Sequence, residues 1–163
     1  FRGIIDRVDV SKDKKRIVVT DYKTGSPYSY QKMNKDPLDA GRRLQLPIYA
    51  LAAKRALGET EQAQGSYWFV TAAANYERKV VDLGQVEDRF NEVIEGIATG
   101  IQNGLFPANP GPPGRFGPEN CSYCDFDRIC PAARASLWDR KKGDARLAPY
   151  TGLSESSDDE EDE

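Results

Sequence analysis

The order of hydrophobic segments along the chain is the feature that most constrains its fold. Two β-branched segments come first, joined by a polar stretch that suits a hairpin, and a helical stretch closed by a glycine follows them. The predicted elements are, in chain order, strands at 2–10 and 15–22, a helix that ends at Leu57, strands at 65–71 and 78–83, and a helix at 85–103. This ββ-α-ββ-α order predicts the α/β class, with a mixed central β-sheet flanked by helices.

Composition divides the chain into a mildly basic body and an acidic tail. Residues 154–163 contain seven acidic and no basic residues, whereas residues 1–153 contain 23 basic and 19 acidic residues, a net charge of about +4. The tail has no apolar side chain to bury, so we expect it to be disordered. The charge of the body permits binding to polyanions without requiring it.

We expect three regions along the chain. Residues 1–106 are predicted to form the core domain, residues 107–135 a Pro/Gly-rich linker with a cysteine segment, and residues 136–163 a C-terminal extension that ends in the acidic tail. The chain starts abruptly within a strand pattern at Phe1. We interpret it as a fragment whose upstream part has been removed.

Several classes of function are excluded by what the sequence lacks. It contains no histidine, which excludes Ser-His-Asp and Cys-His catalysis within the chain and histidine-ligated zinc. No apolar run is long enough to span a bilayer, so we expect a cytoplasmic protein with no membrane partner. No G-x-x-x-x-G-K-[ST] motif is present, so any nucleotide-driven motor would lie in other sequence.

Two aspartates and a lysine stand out in the first two predicted strands. Asp6 lies in the segment GIIDRVD, and Asp21 closes the apolar run IVVT. Two carboxylates ~4 Å apart repel each other by about 4 kcal/mol at an effective dielectric of 20, so a site that keeps both ionised needs a cation such as Mg²⁺ or Mn²⁺. Lys23 shares the strand face of Asp21 and could neutralise charge on a phosphodiester. The alternative is that these residues are polar strand ends beside a solvated lysine.

The first predicted helix carries a second set of candidates. Gln45 and Tyr49 are four residues apart and therefore face the same way, where they could position a nucleic acid or hold Lys23; an ordinary helix surface is the alternative. Four basic residues flank this pair and could contact phosphates: Arg42, Arg43, Lys54 and Arg55. The alternative is that they are ordinary solvated charges on the helix. Six aromatic residues could include some that stack on bases: Tyr28, Tyr30, Tyr67, Trp68, Phe69 and Tyr76. Most of them are better explained as core residues, in particular Tyr67, Trp68 and Phe69 in the middle of a predicted strand.

Three cysteines, Cys121, Cys124 and Cys130, form a tight cluster in a region with little predicted regular structure. An odd number of thiols in a protein without other secretory features disfavours disulfides and favours metal ligation. The spacing alone does not decide between zinc and an iron–sulfur cluster. Free cysteines packed among neighbours such as Tyr123 are the alternative.

Four segments in order resemble the successive motifs of the PD-(D/E)XK nuclease superfamily, in particular its RecB/AddB-like exonucleases and their CRISPR-associated relatives. The segments are GIIDRVD, IVVTDYKTG, QLPIYALAAKRALG and CSYCDFDRIC followed by proline, and together they cover about residues 1–131. The resemblance implies a restriction-endonuclease-like core. It also implies that Asp6 and Asp21 ligate Mg²⁺ or Mn²⁺, with the main-chain carbonyl of Tyr22 as a further contact, and that Lys23 is catalytic. Gln45 and Tyr49 match the Q-x-x-x-Y motif of the family.

The resemblance further implies an exonuclease that acts on DNA in repair or recombination, beside a helicase domain or subunit. In the resembled proteins, three cysteines at the spacing of Cys121, Cys124 and Cys130 join one upstream cysteine to hold a [4Fe–4S] cluster. An upstream helix there also supplies a glutamate or histidine to the metal site. This chain starts after that segment, so we expect an incomplete site. The alternative function is a non-catalytic DNA-binding or scaffold module stabilised by an iron–sulfur or zinc site.

Overall fold

The computed structural model describes residues 2–58, 60–122 and 124–155, which form two compact units. The first unit runs to Ile94, and the second spans Glu95–Ser154. The sequence predictions that concern Phe1, Tyr123 and the acidic tail from residue 156 onward lie outside the described residues. In the described part of the chain, no helix combines the length and the apolar character needed to cross a membrane.

The first unit is built on a four-stranded mixed sheet with the strand order β1-β2-β3-β4. The strands are β1 (Arg7–Val10), β2 (Arg16–Lys23), β3 (Gln62–Phe69) and β4 (Arg78–Asp82). The outer pairs β1/β2 and β3/β4 are antiparallel, as hairpin neighbours are, and the central pair β2/β3 is parallel. The prediction of an α/β fold with a mixed sheet flanked by helices is confirmed.

Helix α1 (Gln45–Leu57) is the crossover that allows β2 and β3 to run parallel, since parallel neighbours need a long connection. Its buried residues Ala50 and Ala53 join Ile17 and Val19 of β2 in one core cluster. The helix ends where the sequence predicts, at Gly58, whose φ of 87° suits a residue without a Cβ.

Helix α1 lies unusually close to β3 at a glycine. A Cβ atom built on Gly65 would lie 2.6 Å from the Cβ atom of the fully buried Leu46 and 2.9 Å from its carbonyl oxygen. The absence of a side chain at Gly65 therefore sets the distance between helix and sheet. Pro47 lies in the first turn of α1, where its missing N–H costs no helical hydrogen bond.

Two elements differ from the sequence prediction. The first strand begins at Arg7 rather than at residue 2, because the side-chain carboxylate of Asp6, rather than a main-chain carbonyl, accepts the N–H of Tyr22. The polar stretch after β2, predicted as a loop, contains a 3₁₀ helix at Pro27–Asn34. Ser26 caps this helix by accepting the N–H of Tyr28 at 3.2 Å.

The second unit contains short elements after the long helix α2 (Leu83–Gln102), within which the boundary between the units falls. A two-residue strand pair follows, β5 (Pro113–Gly114) with β6 (Gly117–Pro118), and then helices α3 (Arg134–Lys141) and α4 (Ala148–Glu155). The Trp138 ring of α3 meets the Tyr150 ring of α4 edge-on, with the centroids 6.1 Å apart.

Candidate active site

Asp21 occupies a buried position near the C-terminal end of β2, with only 6% of its surface exposed. Its Oδ1 accepts a hydrogen bond from Nε2 of Gln45 at 2.9 Å, and its Oδ2 lies 2.6 Å from Nζ of Lys23 as an ion pair. Although Lys23 is within ion-pair distance, no donor among the described residues has the angles of a hydrogen bond to Oδ2. One oxygen of a buried carboxylate thus keeps lone pairs that could bind a cation.

Strand alternation and helix packing together bring Gln45 to Asp21. Side chains two residues apart on β2 share a face, so Asp21 and Lys23 continue the row of core residues on which α1 packs. Gln45 is the first residue of α1, and its amide also lies 3.2 Å from the hydroxyl of Tyr49 one turn later. The structure therefore brings Asp21, Lys23, Gln45 and Tyr49 into one connected group.

Asp6 lies just before β1, beside the end of β2. The pairing of β1 with β2 ends at Arg7 and Thr20, so Asp6 and Asp21 each lie one residue beyond the last pair. The Asp6 side chain is exposed, and its Oδ2 accepts the N–H of Tyr22 at 2.9 Å, which fixes one oxygen. Nearby, a Cβ atom on Gly3 would lie 2.8 Å from the hydroxyl oxygen of Tyr49, so the segment before Asp6 passes close against the α1 side chain.

An aromatic ring lies beneath Lys23. Tyr67 pairs with Asp21 across the parallel β2/β3 ladder, and its ring centroid is 4.9 Å from Nζ of Lys23. Tyr67 is only 2% exposed, and burial raises the pKa of its phenol far above the ordinary value. Sequence analysis places Tyr67 among the core aromatics, and no local signal could have revealed this contact, because it depends on pairing between strands separated by α1.

The donor atoms fit a small oxygen-preferring cation. The expected ligands are the carboxylates of Asp6 and Asp21 and the main-chain carbonyl of Tyr22, and Mg²⁺ typically binds one or two carboxylates while retaining water. The buried, incompletely bonded Oδ2 of Asp21 agrees with such a role. Across the described residues, however, no three His, Cys, Asp or Glu side chains gather as a metal site by themselves.

The other polar candidates have different environments. Arg43 stacks on the Tyr30 ring at 4.0 Å and donates to the carbonyl of Ser29 at 2.9 Å, so its guanidinium is already engaged. The remaining candidates for phosphate contacts keep accessible side chains: Arg42 and Arg55 are exposed, and Lys54 is half-buried. Arg7 and Asp9 form an exposed ion pair at 2.7 Å and share the sheet face opposite to that of Asp21.

The aromatic candidates fall into two groups. Tyr67 and Phe69 are buried, and Tyr30 packs edge-on against both with ring centroids 5.0 and 5.2 Å away. Trp68 faces the other side of the sheet beneath the Arg78 guanidinium at 3.9 Å. Tyr28 and Tyr76 are exposed.

The three cysteines are not in disulfides. Cys121 and Cys130 are half-buried, and Cys124 is exposed. The N–H of Cys124 donates to the carbonyl of Cys121 at 3.2 Å, so these two residues share one turn. Within the described ranges, the sulfur atoms do not gather with other ligands as a metal centre.

The first unit is a mixed four-stranded sheet flanked by helices, which is the arrangement of a restriction-endonuclease-like fold. Two carboxylates and a lysine lie near the junction of its first two strands, and a glutamine from the crossover helix joins them. The sequence profile of the PD-(D/E)XK nuclease superfamily matches residues 1–131, and the chain belongs to this superfamily. Membership indicates a nuclease, a hydrolase of phosphodiester bonds. Searches of curated proteins and of solved structures gave no significant match.

Proposed function

We propose that this domain is a deoxyribonuclease that depends on Mg²⁺ or Mn²⁺ and has Asp6, Asp21 and Lys23 at the centre of its active site. The observation that carries the proposal is the buried Asp21 carboxylate, which is held by Gln45 and Lys23 while its Oδ2 keeps unused lone pairs. Burying a charged group is costly unless it is compensated, and a bound cation would complete the compensation.

The protein groups that would hold the cation are the carboxylates of Asp6 and Asp21 and the main-chain carbonyl of Tyr22. When bound, the ion supplies Lewis-acid polarisation of the phosphodiester and lowers the pKa of a coordinated water. The Gln45 amide orients the Asp21 carboxylate, and the Tyr22 N–H orients that of Asp6. Fixed donors of this kind set the direction of the carboxylate lone pairs before substrate arrives.

Lys23 is placed to act on the phosphate itself. Its side chain is 27% exposed, so the ammonium reaches solvent at the edge of the site while pairing with Asp21. There it can donate hydrogen bonds to phosphate oxygens whose negative charge grows as a new P–O bond forms. Gln45 and Tyr49 maintain the carboxylate geometry beside it.

The finer assignment rests on the resemblance to RecB/AddB-like enzymes. We propose that the domain acts as an exonuclease on DNA ends during repair or recombination, together with a helicase domain or subunit. Free thiols at Cys121, Cys124 and Cys130 favour a reducing compartment such as the cytoplasm. We also propose that these cysteines contribute three ligands to a [4Fe–4S] cluster, with zinc as the competing metal.

The decisive experiment is a cleavage assay on linear DNA with and without Mn²⁺, comparing wild type with Lys23→Ala. We expect metal-dependent cleavage by the wild type and a loss of about 100-fold or more in the variant, since removing one electrostatic stabiliser of the transition state typically costs that much. Lys15→Ala is the matched control, because Lys15 is an exposed lysine that pairs only with Glu61 in the described structure.

Equal cleavage by wild type and Lys23→Ala would contradict the catalytic assignment. Binding of DNA without any cleavage by the wild type would instead favour the alternative, a non-catalytic DNA-binding module. A gel-shift measurement in the absence of metal, run on the same two proteins, separates these results.

A further inference from the structure

We infer that Tyr67 is a positioning residue that holds the Lys23 ammonium in its working orientation; the inference rests on the proposed nuclease function. Lys23 has two contacts that orient its charged end. One is the ion pair with Asp21, and the other is the face of the Tyr67 ring, 4.9 Å from Nζ to the centroid. This distance lies within the ~6 Å over which a ring face attracts a cation.

The strand register makes this contact a consequence of the fold. Asp21 and Tyr67 are direct partners across the parallel ladder between β2 and β3, and Lys23 is two residues further on. Side chains of Asp21, Lys23 and Tyr67 therefore project from the same face of neighbouring strands. A register shift of one residue would turn the tyrosine to the opposite face.

A second contact matters because a lysine side chain is long and flexible. Ordering such a side chain costs conformational entropy, and the ion pair competes with every other partner that the Asp21 carboxylate takes. The ring contact uses no carboxylate oxygen. It therefore persists whatever else Asp21 binds, and it keeps the ammonium over the same point.

The platform beneath Lys23 is itself rigid. Tyr67 is 2% exposed, and the Tyr30 ring packs edge-on against it with centroids 5.0 Å apart. Tyr30 is held in turn by the Arg43 guanidinium stacked at 4.0 Å and by Phe69 at 5.2 Å.

Steady-state kinetics with Mn²⁺ and linear DNA test the inference in three variants. Tyr67→Leu removes the ring and should lower kcat by about tenfold with KM within about threefold of wild type, which corresponds to about 1.4 kcal/mol in the barrier. Tyr67→Phe keeps the ring face and should retain the wild-type kcat. Phe90→Leu is the matched control, because Phe90 is a buried aromatic residue of α2 in the same unit, outside the β2/β3 ladder that carries Lys23 and Tyr67.

A thermodynamic double-mutant cycle supplies a readout that needs no cleavage. Urea unfolding gives the free energy of unfolding of four proteins: wild type, Lys23→Ala, Tyr67→Leu and the double variant. Comparing these four free energies gives the coupling between the two side chains. We expect a coupling of about threefold to tenfold in the unfolding equilibrium constant, and none between Lys23→Ala and Phe90→Leu. Tyr67→Met, whose flexible unbranched side chain adapts to the space left by the ring, replaces Tyr67→Leu where the latter does not fold.

Three results would overturn the inference: no coupling in the cycle, a kcat loss in Phe90→Leu as large as in Tyr67→Leu, or an equally large loss in Tyr67→Phe. Coupling in the cycle without any cleavage by the wild type would contradict the proposed nuclease function while supporting the contact between Lys23 and Tyr67. The two failures are thus distinguishable.

Discussion

Asp21 combines a formal charge with a position that is 94% shielded from solvent, and the residues around it compensate for that charge. Gln45 donates to one oxygen, and Lys23 pairs with the other. Removing a partner from a buried charge is costly, whereas removing the charge itself also removes the reason for a cation to bind. The electrostatic role of Asp21 can therefore be separated from its packing by an isosteric amide.

We predict that Mn²⁺ raises the thermal unfolding temperature of the wild type and not that of Asp21→Asn. A ligand that binds only the folded state at about 100 times its Kd stabilises it by about 2.7 kcal/mol, and removing the metal with a chelator reverses the gain. The asparagine keeps the shape of the side chain while losing the charge that attracts the cation. Differential scanning fluorimetry over a Mn²⁺ titration measures both responses.

Asp9→Asn is the control for this prediction. Asp9 pairs with Arg7 on the opposite face of the sheet, is exposed, and stands outside the proposed metal site. It should keep the full Mn²⁺ response. A wild-type stabilisation that survives in Asp21→Asn would show that the cation binds elsewhere.

At the scale of secondary structure elements, the site depends on how closely α1 approaches the sheet. Gln45, which holds Asp21, is at the start of this helix, and Leu46 beside it packs directly on the backbone of Gly65. Any side chain at Gly65 would press against Leu46 and push the first turn of α1 away from β3. The geometry of the proposed active site is therefore linked to a residue that has no side chain.

We predict that Gly65→Ala destabilises the fold by about 1–3 kcal/mol, the usual cost of overpacking a filled core. The added Cβ atom would meet Leu46 Cβ at 2.6 Å and the Leu46 carbonyl oxygen at 2.9 Å, and backbone cannot yield as a flexible side chain does. Urea unfolding measures the loss. Mn²⁺-dependent cleavage should also fall, since Gln45 moves with the helix.

The matched control is Gly25→Ala, a glycine in the same unit where an added Cβ atom would meet nothing within 4 Å. Its free energy of unfolding should stay within about 0.5 kcal/mol of the wild-type value. A Gly65→Ala variant as stable as Gly25→Ala would mean that the helix relaxes freely, contrary to the close packing described above.

At the scale of the whole molecule, the chemistry is divided between two units. The carboxylates, Lys23 and α1 belong to the first unit, and the three cysteines belong to the second. The cysteines are partly accessible and are not paired with each other, so their sulfur atoms could ligate a metal. The metal content of the purified protein is therefore a property to measure.

We predict that protein purified anaerobically contains iron, with about four iron atoms per chain and absorbance near 400 nm, as expected for a thiolate-ligated [4Fe–4S] cluster. Elemental analysis distinguishes this result from a single bound zinc ion. Cys124→Ser should lose the metal, because a hydroxyl is a poor replacement for a thiolate ligand.

Ser122→Ala, between two of the cysteines, is the control and should retain the metal content. Stoichiometric zinc with no iron would favour the zinc alternative. Protein that contains neither metal would contradict ligation by these cysteines.

Much of the fold could be predicted from local patterns. The strand and helix order, the end of α1 at Gly58, and the shared face of Gln45 and Tyr49 follow from periodicity and backbone chemistry that act over a few residues. The early start predicted for β1 was wrong, because the residue pattern does not reveal that the Asp6 side chain takes the N–H of Tyr22 in place of a ladder bond.

The sequence by itself determined which residues of this protein could perform chemistry: without histidine, the carboxylates Asp6 and Asp21 and the lysine two residues later were the main candidates. Only the tertiary structure decided what surrounds them. The parallel register brings Tyr67 beneath Lys23, and the packing of α1 brings Gln45 to Asp21. These contacts join segments far apart in the chain, and their geometry depends on strand pairing and core packing, which no short sequence window encodes.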